Sequence, residues 1–283
     1  MALTFPPGPL SAAPGAANYV IDGPAHRILL TPTAKRIRVL VGDGAGAGVG
    51  ETVLDTTAAV ILHETNLMPR YYVPWADVHD DVLVPSDTVT HCPFKGDASY
   101  RSVRVGQRVV EDLLWTYEVP NPELPGLAGL AGLYLEKLDT GPGPAPLDAV
   151  LEEDEPVLGH PRDPFHRVDA RPSSRHVEVV WTRPDGTRVT LADTTRPVGV
   201  FETSLPPRWY VPVDDVRTGL LRDSQTLTVC PYKGVATYRS LVDGPPDVAW
   251  GYEDPLAEAT LLPGHLAFAG DGVSVLVDGR EVG

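Results

Sequence analysis

Residues 91–100 read HCPFKGDASY, and residues 229–238 read VCPYKGVATY. Each stretch joins Cys-Pro to an aromatic residue and the pair Lys-Gly, and together they use both cysteines of the chain. Pro and Gly are residues that set tight turns. The chain therefore contains one turn-like motif twice, 138 positions apart.

The repeat extends well beyond this motif. Between residues 64 and 102, 22 of 39 positions carry the same residue as the position 138 further on. Unrelated segments of average composition share only about one position in fifteen. Downstream the offset falls to 135, where Trp115 and Tyr117 match Trp250 and Tyr252. This period is far longer than that of a solenoid repeat, so we predict two copies of one domain.

The copies and their flanks divide the chain into four predicted parts. These are an N-terminal extension at 1–34, a first repeat at 35–138, a linker at 139–172 and a second repeat at 173–283. The linker prediction rests on a high content of Pro, Gly and acidic residues. We expect residues 1–17 to be loosely attached and the two repeats to pair as an intramolecular pseudo-dimer.

Short runs of β-branched and aromatic residues dominate both copies. The first copy contains RIRVLVG, AAVILHE, RYYVP, DTVTHC and ASYRSVRV, and the second contains HVEVVW, PVGVFE, RWYVP, QTLTVC and ATYRSLV. Gly, Pro, Asp and Ser bound these runs, which is typical of strands. Helix is minor, since PWADV, PVDDV and DPLAEATLL predict about one turn each. We predict an all-β protein made of two tandem small antiparallel domains.

Charge and composition exclude several classes of protein. A net charge of −15 repels a polyanion, so we expect no broad nucleic-acid binding. No apolar run approaches the roughly 20 residues that span a bilayer, so we expect no membrane partner. The N-terminus lacks the basic start and apolar stretch of a secretory signal. Two cysteines make no disulfide framework, which favours a cytoplasmic protein with reduced thiols.

Residues held in both copies are the candidates for a ligand-binding site. They comprise charged residues, aromatic residues and the two cysteines. In the first copy they are Glu64, Arg70, Tyr72, Asp77, Cys92, Lys95, Tyr100, Trp115 and Tyr117; in the second they are Glu202, Arg208, Tyr210, Asp215, Cys230, Lys233, Tyr238, Trp250 and Tyr252.

Each group of candidates has a structural and a functional interpretation. Aromatic residues on one strand face form either a core or the walls of a cleft for a flat or cationic ligand. The shared charges either bind a ligand or form structural salt bridges. The cysteines are either buried thiols at a turn or nucleophiles activated by Lys95 and Lys233.

The sequence predicts no metal site and no cofactor. A zinc site needs about four ligands, usually in CxxC-like pairs, and neither copy contains such a pair. His63, His79 and His91 of the first copy align with Phe201, Arg217 and Val229, so the aligned core shares no histidine. The motif also lacks the GxxxxGK[ST] pattern of a phosphate loop.

Three long segments of each copy carry a resemblance to a known family. In the first copy they are TNLMPRYYVPWADV, THCPFKGDASYRSV and WTYEVPNPELPGLAGLAGLYLEKLD. In the second copy they are LADTTRPVGVFETSLPPRWYVPVDDV, TLTVCPYKGVATYRSL and WGYEDPLAEATLLPGHLAFAGDGVSVLVDG. On these segments the chain resembles the family known as domain of unknown function 427. These segments cover well over half of the chain.

The resemblance implies a β-tent-like fold, in which two small antiparallel sheets meet at an angle around a cleft. Its relatives include the thalidomide-binding domain of cereblon, which uses an aromatic cage, and the B-type methionine sulfoxide reductases, which use a catalytic cysteine. The zinc held by CxxC pairs in several β-tents does not carry over, because this chain has no such pair. Fold similarity alone does not transfer function.

The sequence favours binding of an unknown small molecule in an aromatic and polar cleft, with no catalytic residue assigned. The shared residues contain no recognisable pair of nucleophile and base. One alternative is an enzyme that uses Cys92 and Cys230, or the Lys and Glu residues, on a substrate containing phosphate or sugar. Another is an interaction scaffold with two binding units.

Overall fold

The computed structural model describes residues 26–44, 50–141 and 147–282. The chain divides into two compact units, one ending at Asp163 and the other beginning at Pro164. In its described part each unit has eleven β-strands, and helix occurs only as short 3-10 turns. The predicted all-β class with minor helix is confirmed.

The first unit contains the strands and 3-10 helices that follow. The strands are β1 (Ile28–Pro32), β2 (Ile37–Val41), β3 (Glu51–Thr56), β4 (Val60–Glu64), β5 (Arg70–Pro74), β6 (Leu83–Cys92), β7 (Gly96–Val105), β8 (Arg108–Thr116), β9 (Leu130–Leu133), β10 (Ala149–Glu152) and β11 (Glu155–Pro156). The 3-10 helices span Trp75–Asp77, Asp80–Val82, Pro125–Leu127 and Leu135–Lys137.

The second unit repeats this series of elements. Its strands are β12 (Val168–Pro172), β13 (Val177–Thr182), β14 (Arg188–Thr194), β15 (Val198–Glu202), β16 (Arg208–Pro212), β17 (Leu221–Cys230), β18 (Gly234–Leu241), β19 (Ala249–Gly251), β20 (His265–Phe268), β21 (Val273–Val277) and β22 (Arg280–Val282). Its 3-10 helices span Val213–Asp215, Thr218–Leu220 and Ala257–Ala259.

Each unit consists of a seven-stranded and a four-stranded antiparallel sheet. The first unit has the strand orders β1-β4-β5-β9-β8-β7-β6 and β11-β10-β2-β3. The second unit has the orders β12-β15-β16-β20-β19-β18-β17 and β14-β13-β21-β22. Adding eleven to each strand number converts the first topology into the second. The two copies predicted from the sequence are therefore two copies of one fold.

Strand alternation separates two cores in each unit. In β5, Tyr71 and Val73 point toward the four-stranded sheet and join a cluster that includes Ile37 and Val39. Tyr72, between them, points to the opposite face, as the two-residue period of a strand requires. That opposite face of the seven-stranded sheet, which we call the aromatic face, carries Leu62, Tyr72, Ala98, Tyr100, Trp115, Tyr117 and Leu127 in the first unit.

The boundaries of the units differ from those expected. Strand β1 lies in the predicted N-terminal extension, and β12 lies in the predicted linker. The linker segment also supplies β10, which pairs with β2, and Asp148, which accepts hydrogen bonds from Arg108 at 2.5 and 2.8 Å. The strands in this segment are short and lie among Pro and acidic residues, so composition conceals them. The prediction for residues 1–17 lies outside the described residues.

Three of the seven 3-10 helices in the described part of the chain occur at the predicted sites. PWADV and PVDDV contain the 3-10 turns at Trp75–Asp77 and Val213–Asp215, and DPLAEATLL contains the turn at Ala257–Ala259. In the described part of the chain, no helix has both the length and the apolar character needed to cross a membrane.

Candidate functional site

The repeated Cys-Pro-aromatic-Lys-Gly motif is a hairpin turn. It joins β6 to β7, where Cys92 pairs with Gly96, and the amide of Lys95 donates to the carbonyl of Cys92 at 3.2 Å. Gly96 has φ +106° and Gly234 has φ +101°. A side chain would be strained at such angles, which explains the Gly at this position. The turn fixes the direction in which Lys95 points.

Lys95 points across the aromatic face to Glu64 at the end of β4. Its ammonium donates to the carboxylate, and both side chains are below 10% exposed. Strand order places three strands between β4 and β7, so a flat sheet would hold them about 19 Å apart. The contact therefore requires the sheet to curve around the aromatic face. Lys233 and Glu202 make the same contact in the second unit.

A histidine completes this arrangement in both units. The pairing of β1 with β4 brings Ile28 opposite Glu64, so that Nε2 of His26 lies 3.0 Å from Oε1 of Glu64. The His26 ring stacks on Phe94 of the turn at 3.6 Å and 8°. We call His26, Glu64 and Lys95 the polar cluster of the first unit.

The polar cluster of the second unit is formed by His166, Glu202 and Lys233. The His166 ring stacks on Tyr232 of the turn at 4.2 Å, and its Nε2 lies 3.8 Å from Oε2 of Glu202. That separation is longer than a hydrogen bond. Burial disfavours the ionised carboxyl, but His166 and the Lys233 ammonium outweigh burial and hold the pKa of Glu202 below its usual value. The carboxylate is therefore kept charged.

Tyr117 and Cys92 lie beside the first polar cluster. Burial, followed by the electrostatic effects of Cys92 and Glu64, raises the pKa of Tyr117. In the second unit, burial together with Tyr210, Cys230 and Glu202 raises the pKa of Tyr252. Neither hydroxyl makes a hydrogen bond within the described part of the chain. Both phenols are neutral donors on the aromatic face.

Tyr72, Tyr100 and Trp115 lie together on the aromatic face. The indole N–H of Trp115 donates to the Tyr72 hydroxyl at 2.9 Å, and the Tyr100 hydroxyl lies 2.9 Å from Oγ1 of Thr90. Tyr72, Tyr100 and Trp115 are at most 7% exposed. In this unit they pack as a core.

The second unit has a more open version of this arrangement. Trp250 and Tyr238 stack at 6.1 Å and 28°, and both are partly exposed. Tyr210 lies on the same face, and burial is the largest cause that raises its pKa. We call the pair Tyr238 and Trp250 the aromatic shelf of the second unit, and Tyr100 and Trp115 that of the first.

One pair of small residues accompanies this difference in packing. Trp115 lies opposite Gly132, and a Cβ at Gly132 would be 2.3 Å from the indole ring. Trp250 lies opposite Ala267, which has that Cβ. The indole of the second unit therefore cannot lie as close to its neighbouring strand as that of Trp115.

The shared arginines border the shelves in different ways. Arg70 binds both carboxylate oxygens of Glu136, with one contact at 2.5 Å. The Arg208 guanidinium lies 5.3 Å from the Trp250 ring centroid. Arg208 makes no ion pair with a carboxylate among the described residues. The second unit therefore has an uncompensated cation at the edge of its shelf.

The structure does not bring Asp77 and Asp215 to the aromatic face. Asp77 accepts a hydrogen bond from Thr56 at 2.6 Å, and Asp215 accepts one from Thr194 at 2.7 Å. Thr56 and Thr194 end β3 and β14 of the four-stranded sheets. These two carboxylates therefore connect a 3-10 turn to the small sheet and are separate from the polar clusters.

A cavity of about 190 Å³ opens on the opposite face of the large sheet in the second unit. Arg239 lines it and forms ion pairs with Asp223 at 3.1 Å and Glu253 at 3.6 Å. Tyr252 is the one sequence-predicted site residue that borders it. The cavity is thus distinct from the aromatic shelf.

His26 and His166 are the site residues that sequence reasoning missed. They begin the stretches HRILLTP at 26–32 and HRVDARP at 166–172, which match at an offset of 140. These stretches lie in the predicted extension and the predicted linker, outside the segments that align at an offset of 138. The change of offset from 138 to 140 is the signal that would have revealed them.

The described residues contain no group of three or more His, Cys, Asp or Glu that could hold a metal ion. The acidic component of each polar cluster is one glutamate, and its other members are a lysine and a histidine. This composition suits binding of a polar organic group by hydrogen bonds and charge.

Comparison with known proteins identifies the family. No curated protein matches this chain significantly. A family model described as a domain of unknown function (DUF427) matches residues 29–141 and again residues 169–279. Together the two matches cover more than half of the chain, and they confirm the resemblance read from the sequence. The chain belongs to the DUF427 family and carries two tandem copies of its domain.

Proposed function

We propose that each unit binds a small polar molecule on its aromatic face, next to the polar cluster. The observation that carries this proposal is the recurrence of one His, Glu, Lys and Tyr arrangement in both units. About half of the neighbouring positions have changed between the copies. A buried ion pair adds little net stability compared with apolar residues of similar size. Its presence in both units therefore favours a role in recognition.

The polar groups of the protein indicate which hydrogen-bonding groups such a molecule carries. The hydroxyls of Tyr117 and Tyr252 are free to donate a hydrogen bond, so the ligand supplies an acceptor such as a carbonyl or an anionic oxygen. The imidazoles of His26 and His166 are partly exposed at 21% and 14% and supply a second polar contact. The surrounding aromatic residues exclude water, which strengthens these contacts.

Binding is favoured over turnover by the environment of the lysines. A cysteine nucleophile needs a cation or a base beside the thiol. Lys95 is the cation nearest to Cys92 in sequence, but its ammonium is paired with Glu64. His26 is likewise bonded to that carboxylate. In the first unit, therefore, neither group is available to activate a thiolate without first leaving Glu64.

The test is a thermal-shift screen of the full chain against nucleotides, sugars and cyclic imides, followed by titration calorimetry of each hit. Tyr117→Phe and Tyr252→Phe remove one hydroxyl each and keep the ring. We expect each to weaken binding to its own unit about tenfold, as loss of one hydrogen bond implies. Tyr71→Phe removes a hydroxyl from the opposite face and should leave affinity unchanged. The proposal fails if no compound binds, or if both tyrosine variants bind like the parent protein.

A further inference from the structure

The two units differ at one position beside the aromatic shelf. Tyr134 follows β9, and its amide donates to the carbonyl of Leu113 at 2.9 Å. Ala269 follows β20, and its amide donates to the carbonyl of Val248 at 3.0 Å. Leu113 and Val248 match at the same offset of 135 as Tyr134 and Ala269. The backbone position is therefore the same, but the first unit has a phenol where the second has a methyl group.

In the first unit, the Tyr134 ring covers the shelf. Its centroid lies 4.3 Å from that of Trp115 and 6.2 Å from that of Tyr100, with the two tyrosine rings nearly parallel at 11°. The Arg70 guanidinium lies 5.8 Å from the Tyr134 centroid and is held by Glu136. The Tyr134 ring, tilted by 46° to the Trp115 ring, thus contacts both the aromatic shelf and a guanidinium.

In the second unit, the shelf and the guanidinium are present without that ring. Tyr238 and Trp250 are partly exposed, and the Arg208 guanidinium lies 5.3 Å from the Trp250 centroid. Asp271 stands at the position of Glu136, but it makes no ion pair with Arg208. Arg208 is therefore able to swing away from Trp250 and to accept an anion.

We propose that the aromatic shelf of the second unit binds a planar aromatic molecule that carries an anionic group. The ring lies on Trp250 as Tyr134 lies on Trp115, and the anion pairs with Arg208. The equivalent place in the first unit is occupied by the protein's own Tyr134, so the two units differ in what they accept. The inference deepens the function proposed above, because it assigns a ligand class to the aromatic face of one unit.

The test uses quinoline-2-carboxylate as the probe and the full chain labelled with ¹⁵N. The indole N–H signals of Trp115 and Trp250 are assigned with Trp115→Phe and Trp250→Phe. We expect the probe to shift the Trp250 signal in a saturable way and to leave the Trp115 signal in place. Neutral quinoline should bind at least fivefold more weakly, because Arg208 gains no ionic partner.

Two substitutions that exchange the residue types at the equivalent positions 134 and 269 make the test specific. Ala269→Tyr should fill the second shelf and weaken probe binding at least tenfold, while unchanged Trp181 and Trp209 signals show that the unit remains folded. Tyr134→Ala combined with Glu136→Gln should empty the first shelf and release Arg70 from its carboxylate, so that the Trp115 signal now shifts with the probe. Cyclohexanecarboxylate, an anion without an aromatic ring, should shift neither signal.

Failure of this inference is separable from failure of the general binding proposal. If the Trp250 signal does not move with quinoline-2-carboxylate, or moves equally in Ala269→Tyr, the shelf inference is overturned. Loss of metabolite binding in Tyr252→Phe is measured independently, at the polar cluster. A ligand whose affinity depends on Tyr252 but that does not shift the Trp250 signal would contradict the shelf inference and support the general proposal.

Discussion

Lys95 donates a hydrogen bond to Glu64 from 31 residues away, and Lys233 donates to Glu202 across the same 31-residue separation. In both units the lysine comes from a hairpin turn and the glutamate from the end of a strand on the other side of the aromatic face. The contact links the two sides of the curved large sheet. It also places a charged pair among apolar side chains, where each partner depends on the other.

Removing one partner of this pair should destabilise the first unit strongly. Lys95→Met leaves the buried Glu64 carboxylate without its ammonium, so we expect the free energy of unfolding to fall by about 3–5 kcal/mol. The double variant Lys95→Met/Glu64→Leu should recover most of this loss, because no buried charge is left unpaired. Native-state hydrogen exchange of β4 and β7 amides measures the effect within this unit.

The matched control is Arg36→Met, which breaks the exposed pair of Arg36 with Asp55. An exposed salt bridge contributes about 0–1 kcal/mol, so this variant should unfold nearly like the parent. Equal losses of unfolding free energy in Lys95→Met and Arg36→Met would show that the buried pair contributes no more to stability than the exposed pair.

Gly132→Ala should destabilise the first unit by displacing Trp115. The new Cβ would be 2.3 Å from the indole ring, which must move or strain the strand, and overpacking of this kind costs about 1–3 kcal/mol. Urea unfolding together with the Trp115 indole signal measures both effects. Gly141→Ala is the control, since its Cβ would meet its nearest neighbour at 3.8 Å. A Gly132→Ala protein with parental stability and an unshifted Trp115 signal would contradict the packing described here.

Five tyrosines should stay neutral in the native protein at a pH where free tyrosine ionises. Burial is the largest cause that raises the pKa values of Tyr72, Tyr117, Tyr134, Tyr210 and Tyr252. At about pH 11 an unperturbed phenol is mostly ionised, so these five phenols should add tyrosinate absorbance when the chain unfolds. Ultraviolet absorbance of tyrosinate counts them.

The same tyrosines should make stability fall in alkali. Their pKa values are higher in the folded state, so their contribution is fully present below the unfolded pKa of about 10 and is lost as pH rises toward the folded pKa. Tyr117→Phe should therefore lose stability less steeply above pH 10 than the parent protein does. Identical slopes would mean that Tyr117 ionises equally in both states.

Much of the fold could be predicted from the sequence because the strands are local patterns. RYYVP and RWYVP became β5 and β16, and the Cys-Pro-aromatic-Lys-Gly motif became the turn that its Pro and Gly suggest. Local patterns do not predict the strands at 28–32, 149–156 and 168–172, because these strands are short and lie in the segments expected to be an extension and a linker. Whether these segments join a sheet depends on pairing with strands that are distant in sequence, and no local pattern predicts that pairing.

The site was predictable in composition but not in arrangement. Shared residues identified Glu64, Lys95 and Trp115, yet the curvature that joins β4 to the turn arises from the whole sheet. The shared charge of Asp77 predicts a place in the ligand-binding site, but its carboxylate accepts a hydrogen bond from Thr56 of the small sheet. His26 was missed because a two-residue change of offset separates it from the aligned block.

Glu202 should make the second unit sensitive to acid. Its pKa is lower in the folded state because His166 and Lys233 outweigh the effect of burial. Its contribution to stability is therefore present above the unfolded pKa, near 4.5, and is lost as pH falls through the folded pKa. Glu202→Gln abolishes this titration. The urea midpoint of the parent should fall between about pH 6 and pH 3 more steeply than that of the variant.

Glu258→Gln is the control for the change in net charge. It removes an exposed carboxylate that makes no hydrogen bond or ion pair in the described structure, so it should follow the parent. If Glu202→Gln and Glu258→Gln show the same pH dependence, then His166 and Lys233 do not hold the Glu202 carboxylate in its charged form.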